Sequence, residues 1–108
     1  MNAKPIMPTV KPKTRYLGFK IDSKGKSDPK KIEAVIKEAI QDYLGQLGYG
    51  KAAPQIIEVK GTKGILKVNL DSVELVKACL VFVKEPIISV EKVSGSLKVL
   101  RETFYKHS

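Results

Sequence analysis

Between residues 28 and 48, apolar side chains recur at the three- and four-residue spacing of an amphipathic helix. Asp28 and Pro29 come just before this stripe and predict an N-cap and a first helical position. Gly45 and Gly48 predict a left-handed end to the helix. A stripe of this length must be buried, so the rest of the chain has to supply a surface that covers it. Its members are Ile32, Val35, Ile36, Ala39, Ile40, Tyr43, Leu44 and Leu47.

Segments typical of strands lie on both sides of this helix. Residues 15–21 place apolar side chains at every second position, which predicts a strand with one buried face. Residues 55–60 and 65–69 are joined by a Gly-bounded connection of four residues, which predicts a hairpin. Residues 87–93 follow Pro86 and predict a fourth strand.

Two further helices complete the pattern. Asp71 with Glu74 resembles a capping box and predicts a helix to about Val83. Leu97, Leu100 and Phe104 share one stripe of a final helix. The order β-α-β-β-α-β-α predicts an α/β (α+β) sandwich, namely a ferredoxin-like or RRM-like four-stranded antiparallel sheet with two packed helices plus a C-terminal helix. We expect a flexible, basic, proline-containing arm over 1–14 and a single ferredoxin-like RNA-binding domain over 15–108.

The net charge of the chain indicates what kind of partner it binds. Twenty Lys and Arg residues against eleven Asp and Glu residues give a formal net charge of +9 among 108 residues. The first 31 residues account for +7 of this excess. A polyanion is the expected partner, nucleic acid before an anionic membrane surface. No stretch is long and apolar enough to cross a bilayer, and the single cysteine fits a reducing compartment. We therefore expect a cytoplasmic protein.

Signatures of enzymes are mostly missing. His107 is the sole histidine and lies one residue from the C-terminus, a poor position for acid–base catalysis. Cys79 falls among apolar residues of the second predicted helix, which favours a buried, unreactive thiol. No zinc spacing and no phosphate-binding glycine motif is present. The sequence predicts no catalytic residue and no metal or cofactor bound by the protein.

The aromatic residues argue against base reading by the sheet. The third strand of an RNA recognition motif offers aromatic side chains on which bases stack. The corresponding positions here hold Ile65, Lys67 and Leu70, and only Tyr16 on the first strand remains for stacking. Binding through backbone phosphates is therefore the expected mode.

Three places suit phosphates: the N-terminal arm, the lysines around the start of the first helix, and the Ser94–Ser96 turn, which feeds the N-terminus of the last helix. Each could equally be a solvated tail, a charged loop or a simple helix cap. Their combination in one small basic domain favours RNA binding. The predicted RNA-binding residues are Lys11, Lys13, Arg15, Lys24, Lys26, Lys30, Lys31, Ser94, Ser96, Lys98 and Arg101.

An ordered series of short motifs resembles the archaeal ribonuclease P protein component 2 family over residues 12–106. Residues 15–21 (RYLGFKI) look like its opening strand, and residues 44–48 (LGQLG) are similar to the end of its first helix. Residues 64–69 (GILKVN) and 76–80 (VKACL) resemble its third strand and second helix. Residues 93–101 (VSGSLKVLR) are close to its C-terminal V-S-G-T-[IL]-K-x-L-R run.

The resemblance implies a subunit that assists a catalytic RNA in removing the 5′ leader from precursor tRNA. Its partners would be ribonuclease P RNA, precursor tRNA and ribonuclease P protein component 3, with self-association within a heterotetramer and no membrane contact. Mg²⁺ would be required by the RNA subunit and would not be bound by the protein. The sequence departs from the family at Glu102, where a second basic residue is frequent, and at Ser96, where Thr is commoner.

Three hypotheses stay open at this point. The chain could be an RNA-binding cofactor that neutralises phosphates, in ribonuclease P or in another ribonucleoprotein. It could be an enzyme on a ferredoxin-like frame, for which Glu58, Asp71 and His107 are the groups to test. It could also be a protein-interaction module, if Leu75, Cys79 and Phe82 are left uncovered on the second helix.

Overall fold

In the described part of the chain, four strands and three α-helices follow one another in the predicted order. The computed structural model describes residues 13–22, 28–84 and 86–105. A short 3-10 turn, Leu70–Ser72, comes just before the second helix. The elements are β1 Thr14–Asp22, α1 Pro29–Ala52, β2 Gln55–Lys60, β3 Lys63–Asn69, α2 Val73–Val81, β4 Ile87–Ser94 and α3 Leu97–Phe104.

The strands form one antiparallel sheet in the order β2-β3-β1-β4. β1 is central because it pairs with β3 on one side and β4 on the other. β3 pairs on its other side with β2, so β2 and β4 are the two edge strands of the sheet. A β-α-β-β-α-β chain that brings its first and third strands together in the centre is ferredoxin-like, so the predicted fold class is confirmed.

The main core lies between the sheet and the layer formed by α1 and α2. Leu17, Phe19 and Ile21 point from β1 into this layer, as the period of two predicts. From α1, the side chains one turn apart at Ile32, Ile36 and Ile40 meet them. The other buried members are Ala52, Leu66, Val68, Val73, Val76, Cys79, Leu80 and Ile88.

α3 packs on the opposite face of the sheet. Leu100 and Phe104 are buried there against Ile65 of β3. Gly18 of β1 makes room for the Phe104 ring, since a Cβ at Gly18 would lie 2.9 Å from Phe104 Cδ2. Tyr16 is half-buried in the same cluster. The single aromatic side chain that the sequence left for base stacking therefore serves largely to pack α3.

α1 consists of two helical segments that meet at a kink. Gly45 has a positive φ (φ 72°, ψ −179°) and interrupts the first segment, as predicted, and a second segment continues to Ala52. The left-handed residue that ends the helix is Ala53 (φ 45°), whose N–H donates to the Tyr49 carbonyl at 2.9 Å. The predicted stop at Gly48 was wrong, because Gly48 has no positive φ and burial of Ala52 in the core stabilises the second segment.

The start of α2 also differs. No side chain caps the 3-10 turn or α2, so the predicted capping box at Asp71 is wrong. The chain is held there by backbone instead, because the Leu70 N–H donates to the Lys13 carbonyl at 2.8 Å. That bond attaches Lys13 to the folded domain. The rest of the predicted arm, residues 1–12, lies outside the described residues.

Candidate nucleic-acid interface

The turn that leads into α3 is organised by two serine hydroxyls. Ser96 is the N-cap of α3, and its Oγ accepts a hydrogen bond from the Val99 N–H at 3.3 Å. The Ser94 Oγ accepts from the Ser96 N–H and donates to the Ser96 carbonyl, both at 3.1 Å. These bonds fix the turn and occupy the Val99 N–H, while the N–H groups of Leu97 and Lys98 have no partner inside the helix, as at any helix N-terminus. Such a helix N-terminus is suited to an anion.

Positive charge surrounds this helix N-terminus. Tyr16 pairs with Ser94, so the neighbouring Arg15 guanidinium lies against Gly95, where a Cβ would be 3.4 Å from Nη1. The same Nη1 donates to the Thr14 carbonyl at 2.8 Å, which restrains the side chain. Lys98 is exposed in the first turn of α3, and Lys13 is exposed just before β1. The fold thus brings together four of the predicted residues: Arg15, Ser94, Ser96 and Lys98.

Lys30 and Lys31 belong to another part of the surface. Both are exposed in the first turn of α1, where the Asp28 carboxylate accepts from the Lys30 N–H at 3.1 Å, as predicted for an N-cap. The far end of α1 lies near the start of β1, because Lys51 accepts a hydrogen bond from Asn69. The start of this 24-residue helix is therefore remote from the Arg15 end of the sheet.

Arg101 is engaged within the domain. Its Nε and Nη2 donate to Glu58 Oε1 at 3.1 and 2.7 Å, which ties α3 to β2. Lys60 Nζ lies 3.9 Å from the other carboxylate oxygen. Arg101 was predicted to bind RNA, and the structure gives its guanidinium a carboxylate partner. The other predicted residues, Lys11, Lys24 and Lys26, lie outside the described residues.

The surroundings of Glu58 keep it ionised. Burial opposes the charge, but the Tyr105 hydroxyl, the Arg101 guanidinium and the Lys60 ammonium together outweigh it and lower the pKa of Glu58. The Tyr105 hydroxyl and Glu58 Oε2 are both buried, and neither completes a hydrogen bond of good geometry among the described residues. The two groups still influence each other: the hydroxyl helps to lower the pKa of Glu58, while burial and the Glu58 carboxylate raise the pKa of Tyr105.

An exposed apolar surface lies on the helix layer. It is formed by Tyr43 of α1 with Leu75 and Phe82 of α2 and its end, each more than half exposed. The rings of Tyr43 and Phe82 stack with centroids 4.6 Å apart. Cys79, the third predicted member, is instead buried, and this burial raises the pKa of its thiol. Two of the three predicted contact residues are therefore accessible to a partner.

The sequence model of the Rpp14/Pop5 family matches residues 15–105, which is most of the chain. The chain belongs to the Rpp14/Pop5 family. Ribonuclease P protein component 2 of Methanococcus aeolicus is 32% identical, over 95% of this chain and 80% of that protein. The protein of the same name from Pyrococcus furiosus is 33% identical, over 94% of this chain and 90% of that protein.

The solved structures agree with the fold. A chain in the cryo-EM structure of yeast ribonuclease MRP superimposes with a TM-score of 0.65 at 14% identity, over 92% of this chain and 94% of that chain. The resemblance to ribonuclease P protein component 2, expected from the ordered motifs, is confirmed. None of the described helices of this Rpp14/Pop5 protein is long and apolar enough to cross a membrane.

Three lysines that the sequence did not single out meet in this Rpp14/Pop5 protein. Lys20 of β1, Lys63 of β3 and Lys92 of β4 line one cavity on the α3 side of the sheet. The alternation of β1 places Lys20 on the outward face, which the sequence could show. Which residues of β3 and β4 lie beside it depends on the strand register, and a single sequence does not specify that register.

The attachment of α3 to β2 should depend on pH. Because the pKa of Glu58 is lowered by folding, its stabilising effect is complete above the ordinary value of 4.5 and is lost as the pH falls through the lower, folded value. Glu58→Gln should therefore reduce the free energy of unfolding by about 1 kcal/mol at pH 7, since the half-exposed Arg101 is partly screened. The difference from the native chain should vanish at acid pH.

Denaturant unfolding at several pH values measures this difference. Glu33→Gln is the matched control because the ion pair of Glu33 with Lys37 is exposed on α1 and should contribute much less. If Glu58→Gln lowers the free energy of unfolding by the same amount at pH 7 and at acid pH, the substitution acts through packing and the charge of Glu58 does not contribute.

Proposed function

We propose that this chain is a protein subunit of ribonuclease P, assisting the catalytic RNA in removing the 5′ leader from precursor tRNA. The observation that supports this most directly is the family match over residues 15–105, together with relatives of nearly the same extent that bear the name ribonuclease P protein component 2. The net charge of +9 suits a partner made of RNA.

In this proposal the protein supplies positive charge and the RNA performs the cleavage with its own Mg²⁺. Arg15, Lys98 and the N-terminus of α3 form one phosphate contact, and Lys30 with Lys31 forms another at the far end of the domain. Glu58, one of the groups a protein enzyme would need, is held as a carboxylate by Arg101 and ties α3 to β2. A general acid would need the opposite shift of its pKa.

The proposed protein partner is ribonuclease P protein component 3, with a second copy of the chain in a heterotetramer and precursor tRNA as the substrate of the whole particle. The exposed apolar surface of Tyr43, Leu75 and Phe82 supports a contact with protein. Location in the cytoplasm remains part of the proposal. The alternative function is a basic RNA-binding or protein-interaction module of another ribonucleoprotein, without catalysis. The fold shared with a chain in the structure of yeast ribonuclease MRP is compatible with this alternative.

Reconstitution tests the proposal. Adding the chain together with component 3 to the cognate ribonuclease P RNA at limiting Mg²⁺ should increase the rate of leader removal, because neutralised phosphates let the RNA fold with fewer metal ions. Component 3 alone and RNA alone are the controls. Sedimentation of the chain with and without component 3 measures their association.

Two results would contradict the proposal. An unchanged rate of leader removal, with all components folded and bound, would assign the chain to another ribonucleoprotein. Cleavage that persists when the RNA subunit is omitted would favour a protein enzyme, and the triple variant Glu58→Gln, Asp71→Asn, His107→Gln would then be expected to abolish it. In the proposed role this triple variant retains the ability to stimulate the RNA.

A further inference from the structure

The cavity beside the C-terminal end of α3 has a volume of about 320 Å³ and is lined mainly by cationic and polar side chains. It opens on the face of the sheet that α3 covers only in part. Lys20, Lys63 and Lys92 reach it from three different strands, and Thr62 reaches it from the β2–β3 turn. Among the described residues that line it, Glu91 is the one acidic side chain beside three lysines.

The strand register brings the lysines together. Lys20 and Lys63 are direct partners across β1 and β3, so their side chains leave the same face of the sheet. Lys92 is the partner of Gly18 on the other side of β1, where the register shifts between Gly18 and Phe19. Gly18 has no side chain to fill the space between these strands, and the Phe104 ring and the cavity occupy it.

Lys63 is held in position by α3. Its Nζ donates to the Phe104 carbonyl at 3.0 Å and lies 4.7 Å from the centre of the Phe104 ring. A cation at this place compensates the negative end of the α3 dipole. Phe104 is almost completely buried, so the anchor of Lys63 is rigid.

Lys20 and Lys92 contrast with Lys63. Within the described residues 13–22, 28–84 and 86–105, the structure gives neither of them an ion-pair partner. An anion bound between Lys20 and Lys92 would pair with both ammonium groups.

We propose that Lys20, Lys63 and Lys92 form a binding pocket for one phosphate group of the RNA backbone. This inference depends on the proposed role in ribonuclease P, and it adds a contact site that is distinct from the N-terminus of α3. A phosphate has several oxygens directed to different sides and can meet ammonium groups from three strands at once, whereas a carboxylate offers two. The hydroxyl of Thr62 in the wall is a further donor to such a group.

The test is a pair of double variants with equal loss of charge. Lys20→Gln with Lys92→Gln removes two lysines of the pocket and keeps Lys63, which α3 needs. Lys51→Gln with Lys84→Gln removes two exposed lysines, one from the last turn of α1 and one from the segment that follows α2. Binding of each full-length variant to ribonuclease P RNA is measured over a range of salt concentrations, and thermal unfolding confirms that each variant is folded.

The pocket variant should bind the RNA about fivefold or more weakly at 0.1 M salt. The slope of log K against log salt should become shallower by about 0.7–0.9, the value for one lost phosphate contact. The control variant should retain affinity and slope. Glu91→Gln should act in the opposite direction and raise the affinity about threefold, since it removes a negative charge a few ångströms from the phosphate.

The outcomes separate the two proposals. If the native chain binds the RNA, but pocket and control variants lose the same affinity, or Glu91→Gln has no effect, the pocket is overturned while the role in ribonuclease P stands. If the pocket variant binds RNA normally and loses affinity for component 3, the lysines contact an acidic protein surface and the pocket is again overturned. If the native chain itself ignores the RNA with component 3 present, the proposed function fails.

Discussion

Replacing Gly64 with alanine should lower the free energy of unfolding by about 2–3 kcal/mol. Gly64 is buried in β3 directly opposite Phe19, whose ring lies over it. A Cβ at Gly64 would overlap Phe19 Cζ, with Cε1 at 2.8 Å and the Glu58 carbonyl at 3.0 Å. Phe19 is completely buried, so its ring has no space into which it can move. Overpacking of a well-filled core typically costs about 1–3 kcal/mol, and the rigid surroundings of Gly64 put this change in the upper part of that range.

Denaturant unfolding measures the loss, and Gly50→Ala is the matched control. Gly50 is exposed near the end of α1, and a Cβ there would meet nothing within 4 Å, so alanine should be neutral or stabilising. Phe19→Leu combined with Gly64→Ala should cost less than the sum of the two single changes, because the shorter side chain makes room for the methyl group. A Gly64→Ala chain as stable as the native one would mean that the ring is not fixed over Gly64.

Replacing Phe104 with alanine should reduce the free energy of unfolding by about 3 kcal/mol, the lower end of the range for buried phenylalanine, because its cluster is the smaller of the two. The change removes the ring over Gly18 and the surface on which Lys63 rests. α3 should then detach from the sheet before the rest of the domain unfolds, so the amide protons of α3 should exchange with solvent earlier than those of β1.

Val99→Ala is the control on the same helix, since Val99 is half exposed and its truncation should have little effect. Equal losses of stability for the two substitutions, or uniform exchange of amide protons throughout the domain, would contradict a role for Phe104 as the anchor of α3. The Glu58 carboxylate should remain a second, weaker attachment through Arg101 in the Phe104→Ala chain.

The fold could be predicted where local chemistry decides the structure. Asp28 and Pro29 specify the start of α1, and the alternation at Leu17, Phe19 and Ile21 specifies the buried face of β1. Gly45 interrupts the first helical segment with a positive φ, as predicted, but the predicted stop at Gly48 was wrong because the second segment runs on to the buried Ala52. The prediction failed at Asp71 because the hydrogen bond from Leu70 to Lys13 joins segments that are far apart in sequence.

The candidate site was less accessible to prediction, since strand register and helix placement decide it. Serine and glycine before a helical stripe indicated the N-terminus of α3, and the structure places the Arg15 guanidinium beside that turn. The partner of Arg101 was not foreseen, because Glu58 is 43 positions away along the chain. The pairing of Lys20 with Lys63 is likewise a result of β1 lying beside β3.

The position of α3 over the sheet has a consequence for how the RNA partner can evolve. Nucleobases have no stacking platform on the part of the sheet that Tyr16, Leu100 and Phe104 fill. In the proposed role, recognition then depends on the positions of the phosphates, which the three-dimensional fold of the RNA determines and its base sequence does not. Compensatory base changes in the RNA helices that meet this protein would leave that fold intact, so the two molecules can remain matched while the RNA sequence drifts.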